Sequence, residues 1–342
     1  MLAFLLLGGL WGLAFTGFPY TIAPRTGSPA GRRGSGVLRH YRRCGFFRVG
    51  AMPATVYRSA EGEAHIGALY DEALATLGAD YESLTVGTRL GDTHVLAVGP
   101  EGAPPALFLP GGNFLNPTCL KWFLPLAHQH RLYATDLVGH PGFSARERPS
   151  PSGDGHAFWV EDVLDGLGLG RVPVVGLSYG AGVAIRAMGH APERVSRAAL
   201  VSPAAVAAGP VSRMLYELAV PMLLYRLRPT RKRLLRAAKP ILTEPEDLAV
   251  RQLGAIYRHV KLDPGLPRTA TEEELEGFEG PVAVFAPEHD VFFPARAVLE
   301  RAADIFPNLV HAERLNGCRH VPSEAVFRHA TQRILTFLAS PV

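Results

Sequence analysis

Val174-Val175-Gly176-Leu177-Ser178-Tyr179-Gly180-Ala181-Gly182 is the stretch from which the rest of the chain is most readily read. An apolar run of strand character meets the pattern Gly-x-Ser-x-Gly and passes into small residues suited to a helix. The glycines have a steric reason. A serine held on a tight strand-to-helix turn leaves little room for a Cβ two positions away on either side. Such a turn lifts the Ser178 hydroxyl out of the sheet and places a helix N-terminus beneath it, where developing negative charge is favoured. The five-residue pattern also fits a plain glycine-rich turn, but a strand before it and a helix after it point to a nucleophile.

Outward from this turn, short apolar runs alternate with helical segments. Strands are expected at Ala106–Leu109, Arg131–Thr135, Val172–Leu177, Ala198–Val201, Val282–Ala286 and Val310–Leu315. Near-continuous apolar strands suit a parallel sheet covered on both faces. Helices are expected at Glu61–Leu77, His156–Leu167, Gly180–Met188 and Ser323–Leu338, and an antiparallel pair, Ser83–Thr88 with Thr93–Val98, opens the series. This pattern predicts a doubly wound α/β fold with a mostly parallel eight-stranded sheet, whose site lies beyond the carboxyl ends of the strands. Residues 204–277 interrupt the rhythm with helical patches, Met214–Leu227 and Arg231–Ala238, and read as a helical cap. The core is then 52–203 with 278–342.

A serine hydroxyl needs a base, and the base an orienting carboxylate, in the chain order Ser, acid, His. Of 13 histidines, His320 follows a glycine-containing loop at the end of the last strand, whereas His311 lies within a strand and His329 in mid-helix. The preceding strand ends in Glu288-His289-Asp290, where Asp290 lies deeper in the loop than Glu288. Asp290 also fits the bland role of capping the following turn. The strand at 198–201 ends in Ser202-Pro203, with no acid. Donors for an oxyanion are expected from the backbone N–H of Tyr179 and from Pro110-Gly111-Gly112-Asn113, with Gly112 the favoured second donor. Gly111-Gly112 can equally be a simple tight turn.

With these residues in place, the chain resembles the α/β-hydrolase fold family, and within it the bacterial serine carboxylesterases. Thr88-Arg89-Leu90-Gly91-Asp92-Thr93-His94-Val95 is similar to their opening hairpin. Asp136-Leu137-Val138-Gly139-His140-Pro141-Gly142-Phe143-Ser144 is similar to the loop after their fourth strand, and Pro192-Glu193-Arg194-Val195 to the segment closing the helix after the nucleophile. The resemblance spans about residues 57–340. It implies cleavage of a small-molecule carboxylic ester by two-step acyl transfer, with catalytic Ser178, Asp290 and His320, an oxyanion hole at Tyr179 and Gly112, and neither cofactor nor metal. Where the family usually carries His-Gly in the oxyanion loop, this chain has Pro110-Gly111, which removes a side-chain donor and one N–H but leaves the N–H of Gly112. Lactone hydrolysis, C–C bond hydrolysis and acyl transfer share the same residues, and a catalytically silent ligand-binding protein is the reading from another class.

The chain has 342 residues, 47% of them hydrophobic and 19% charged, enough for a buried core. Its net charge of +4 is misleading. Eight arginines fall within residues 1–60 with no acid beside them, so the remainder is mildly acidic and a nucleic-acid role is disfavoured. Cysteines at 44, 119 and 318 are too few for a disulfide framework. His128-Gln129-His130 lacks the further ligands of a metal site. Residues 1–51, apolar and then Arg/Gly/Pro-rich, carry three readings: a dispensable extension preceding a start at Met52, a membrane anchor, or a secretory signal without its basic n-region. The expectation is a cytoplasmic protein, with membrane association only through residues 1–24 and an anchored or secreted form as the alternative. Arg226–Lys239, seven basic residues without an acid, reads as a solvated cap face or as a surface meeting anionic substrates or lipid.

Overall fold

The computed structural model describes residues 56–262 and 265–340, so the readings placed on residues 1–51 lie outside the described residues. Helix α1 (Ala60–Ala75) is capped by Ser59, whose hydroxyl accepts the Gly62 N–H at 3.0 Å. It buries Ile66, Leu69, Tyr70 and Ala73 on one face. Strands β1 (Tyr81–Thr88) and β2 (Gly91–Val98) pair antiparallel from Tyr81 opposite Val98 to Thr88 opposite Gly91, as the alternating runs predict.

The chain then builds β3 (Pro105–Leu109), α2 (Asn116–Phe123), β4 (Arg131–Thr135), α3 (Gly155–Gly166), β5 (Val172–Leu177), α4 (Tyr179–His190) and β6 (Val195–Val201). After the insertion come β7 (Val282–Pro287), α10 (Ala295–Ile305), β8 (Leu309–Leu315) and α11 (Glu324–Ala339), the insertion itself supplying α5 to α9. The eight strands form one sheet in the order β1-β2-β4-β3-β5-β6-β7-β8. It is antiparallel at β1, β2 and β4 and parallel from β4 onward.

Successive side chains on a strand face opposite ways, and the core divides accordingly. Phe108, Val175, Val201 and Phe285 pack with α2 and α11 on one side, while Leu107, Val174, Leu200 and Val284 pack with α3, α4 and α10 on the other. Both faces are covered, which is why these strands read as unbroken apolar runs instead of alternating ones.

Between β6 and β7 the described residues add no strand to the sheet. It contributes α5 (Val211–Met214), a wider π-type turn at Leu215–Ala219, α6 (Val220–Leu227), α7 (Arg231–Ala238), α8 (Asp247–His259) and α9 (Glu272–Leu275). The first helical run begins three residues before its expected start at Met214 and is not uniform. Pro221 has no N–H to offer the preceding turn, and the wider turn lies immediately before α6. Helix α8 falls where the sequence analysis places no element.

Candidate active site

The turn after β5 holds Ser178 at φ 53° and ψ −115°, a conformation rarely adopted by a residue with a side chain. Three backbone N–H groups secure it by donating to the Ser178 carbonyl: Ala181 at 3.0 Å, Gly182 at 3.2 Å and Ala204 at 3.1 Å. Both flanking glycines are sterically required. A Cβ on Gly176 would lie 2.6 Å from the Ala181 Cα, and one on Gly180 would lie 2.2 Å from the Leu109 carbonyl oxygen. The second approach also presses the start of α4 against the end of β3, where the Pro110-Gly111-Gly112 loop begins.

His320 and Asp290 arrive from the loops after β8 and β7. The Ser178 Oγ lies 2.8 Å from His320 Nε2, and His320 Nδ1 lies 2.7 Å from Asp290 Oδ2. Asp290 is wholly buried, His320 nearly so, and Ser178 half-buried. An ionised carboxylate only accepts, so the short Nδ1 contact places the imidazole proton on Nδ1. Nε2 is left bare to accept from the Ser178 hydroxyl. The other Asp290 oxygen accepts the N–H groups of Phe292 at 2.7 Å and Phe293 at 3.1 Å. Capping the turn and holding the histidine are therefore both done by Asp290. Glu288 instead faces outward and accepts the Gly317 N–H at 2.9 Å. His311 and His329 both bond Glu313, away from Ser178.

Two residues that the sequence analysis did not single out fix the His320 loop. The Ser202 hydroxyl donates to the His320 carbonyl at 2.8 Å. Thr243, from the insertion, donates to the Val321 carbonyl at 2.8 Å and accepts the Arg319 N–H at 2.9 Å. Short polar residues in irregular segments carry no periodic signal, so neither role can be read from the chain. The rings of Phe292 and Phe293 flank the imidazole, with centroids 4.8 and 5.7 Å away.

Tyr179 opens α4, so its N–H lies at the positive end of that helix. Gly112 lies directly against it: a Cβ at 112 would sit 2.8 Å from the Tyr179 Cβ and 3.0 Å from the His140 Cε1. His140 braces the loop by accepting the Asn113 N–H at Nδ1 (3.1 Å), and its ring stacks edgewise on Tyr179. Burial, with His156 and Arg148 as lesser causes, pushes the His140 pKa down to about 3. The ring is thus neutral, as an acceptor of that N–H must be.

A second Ser–His–Asp set lies toward the β1–β2 edge of the sheet. Ser83 Oγ is 2.8 Å from His94 Nε2, and His94 Nδ1 is 3.3 Å from Asp136 Oδ2. Tyr70 donates to Asp136 Oδ1 at 2.8 Å, and burial raises its pKa further, keeping that proton in place. Ser83 is exposed on an ordinary strand, without a strained turn or a helix N-terminus behind it. The set ties α1, β2 and the loop after β4 together. Among the described residues, no group of three or more His, Cys, Asp or Glu is placed to hold a metal.

The family model described as the alpha/beta hydrolase fold matches residues 105–324. An uncharacterized carboxylesterase, nap, of Bacillus subtilis is 28% identical over 273 residues, which cover 78% of this chain and 90% of that protein. Carboxylesterase YbfK of the same organism is 28% identical over 287 residues, covering 80% and 93%. The crystal structure of carboxylesterase CesB (YbfK) superposes with a TM-score of 0.72 at 27% identity, over 83% of this chain and 100% of that one. That of naproxen esterase (carboxylesterase NP) from Bacillus subtilis gives 0.71 at 26% identity, over 82% and 99%.

Proposed function

This chain belongs to the α/β hydrolase fold family, and we propose that it is a serine carboxylesterase that cleaves small-molecule esters with Ser178, His320 and Asp290. The observation that carries the reading is the hydrogen-bonded chain from Ser178 Oγ through His320 to Asp290, with its proton order fixed by the carboxylate. Insertion 204–277 is read as a cap over the core formed by 52–203 and 278–342.

The hydroxyl proton passes to His320 Nε2 as Ser178 Oγ attacks the ester carbonyl carbon. Asp290 stabilises the imidazolium that forms without itself taking the proton. The Tyr179 and Gly112 N–H groups receive the developing oxyanion, and the helix dipole of α4 adds to their field. Collapse of the tetrahedral species breaks the bond to the alcohol, which leaves with the proton from His320. Water then gives a proton to His320 and attacks the acyl-enzyme, releasing the acid and restoring Ser178. Each step uses only groups of the chain, substrate and water.

Turnover of a short p-nitrophenyl ester series by the full chain tests this. Ser178→Ala is expected to lower kcat/KM by roughly a thousandfold or more. Retention of the parent rate in that variant would overturn the proposal, and loss of the rate in Ser83→Ala with Ser178 intact would move the nucleophile to the second set.

A further inference from the structure

The run from α5 through α6 carries apolar side chains on two opposed faces. Leu218 and Met222 pack against the main core, and Tyr225 is buried in it. On the outer face Tyr216 is 73% exposed, Val220 40%, Leu223 52%, Leu224 40% and Leu227 73%. Their spacing is that of one continuous helical stripe. A helix apolar on both sides that has only one side covered exposes a surface of the kind that marks an interaction site.

Its rim is basic. Arg226–Lys239 holds seven basic residues and no acid. The Arg233 guanidinium donates to the Leu224 carbonyl at 2.9 Å and the Arg228 carbonyl at 3.4 Å, clamping α7 beside the end of α6. That clamp puts the basic run next to the stripe. Among the described residues, Arg228, Lys232, Arg236 and Lys239 are exposed with no carboxylate within 4.0 Å, whereas Arg231 pairs with Asp247. Leu235 stands exposed among them.

We propose that this face of the insertion seats on an anionic lipid surface, the stripe entering the headgroup–acyl boundary and the basic run meeting the headgroups. Apolar residues beside a Lys/Arg run that itself holds no acid, with Glu217 of the helical run paired to Arg213, are what an interfacial helix presents to such a surface. A second copy is a poorer occupant. A two-fold pairing through the same patch would bring one basic run against the other. Membrane contact is thereby assigned to a part of the chain other than residues 1–24.

The docked element adjoins the site. The Arg213 guanidinium donates to the carbonyls of Asp290 at 3.4 Å and His289 at 3.5 Å, linking α5 to the loop that carries the acid. Granting the esterase reading, on which this consequence rests, the site takes esters bearing acyl chains from the interface.

Vesicle sedimentation with the full chain decides the matter, using phosphatidylcholine alone and phosphatidylcholine with phosphatidylglycerol. Binding is expected to the anionic vesicles and to weaken with added salt. The double variants Leu223→Ser/Leu227→Ser and Lys232→Gln/Arg236→Gln should each weaken it about tenfold or more. Both alter exposed residues outside the proposed catalytic groups, so turnover of a short water-soluble ester should be unchanged. Equal binding to both vesicle types, or cap variants that partition like the parent, would overturn the proposal, the latter placing membrane contact elsewhere in the chain. So would a parent that binds no vesicle, whether it captures an acidic peptide instead or forms a dimer that the leucine variants dissolve. A parent that partitions as expected but hydrolyses no ester would sink the esterase reading and leave the surface intact.

Discussion

Asp290 divides its two oxygens between a turn and an imidazole, so an asparagine there separates the two roles. The amide oxygen of Asp290→Asn can still accept the Phe292 and Phe293 N–H groups. Its NH2, however, would face the Nδ1–H of His320, donor against donor, and the ring would move its proton to Nε2. That nitrogen could then no longer accept from Ser178. Near-native stability with kcat reduced by a factor on the order of 10³–10⁴ is expected. Urea unfolding beside steady-state kinetics checks both halves. Gly112→Ala tests the oxyanion loop, since the added methyl meets Tyr179 and His140 at 2.8 and 3.0 Å. A loss of roughly a hundredfold in kcat with little change in KM is expected if Gly112 serves only the transition state. His140 tests the brace behind that loop. Its pKa near 3 in the folded chain lies below its ordinary 6.5, so the unfolded chain binds the extra proton between those values. Stability should therefore fall as the pH drops through that window, by up to roughly 1.4 kcal/mol per pH unit. Urea midpoints at pH 7 and pH 5 should show a shallower decline in His140→Gln than in the parent. Equal declines would remove His140 as the cause.

Among the elements, those with a strong period or a bounded apolar run were legible from the chain. Strands β4 and β5 have the expected limits, as does α7; the other expected elements differ by a few residues at their ends, and α2, α8, α9 and α10 were not expected. Helix ends and the π-type turn before α6 were not legible, because they depend on caps and on one proline rather than on hydrophobic pattern. Around the site, Ser178, His320 and Asp290 could be chosen from motif, chain order and loop position, and the fold brings all three within hydrogen-bond distance. Ser202, Thr243 and His140 could not, because each acts through one or two long-range bonds from a distant segment. Thr243 makes the point testable. Its hydroxyl joins the insertion to the His320 loop through two hydrogen bonds. Thr243→Val should cost about 1–3 kcal/mol by leaving the Arg319 N–H unsatisfied, while the Val321 carbonyl keeps the Thr243 N–H at 3.0 Å. Thermal melts give that cost, and a concurrent drop in kcat would show that the insertion holds the histidine in place.

Taken whole, the molecule gathers Ser178, His320 and Asp290, the proposed catalytic groups, at the carboxyl ends of the parallel strands, in the loops after β5, β8 and β7. Helices on both faces bury the sheet, and the insertion adds a layer tied to the His320 loop by Thr243. Among the described residues no helix is long and apolar enough to cross a membrane. The basic charge concentrated on α7 sits instead on the surface of the insertion. Two Ser–His–Asp sets in one chain give a direct test of which serine is the nucleophile, since only Ser178 has a strained turn and a helix N-terminus behind it. The deciding measurement is reaction of the full chain with diisopropyl fluorophosphate, followed by peptide mass mapping. A single adduct on Ser178, formed as esterase activity disappears and absent from Ser178→Ala, is the expected result. An adduct on Ser83, or inactivation that leaves Ser178 unmodified, would contradict it.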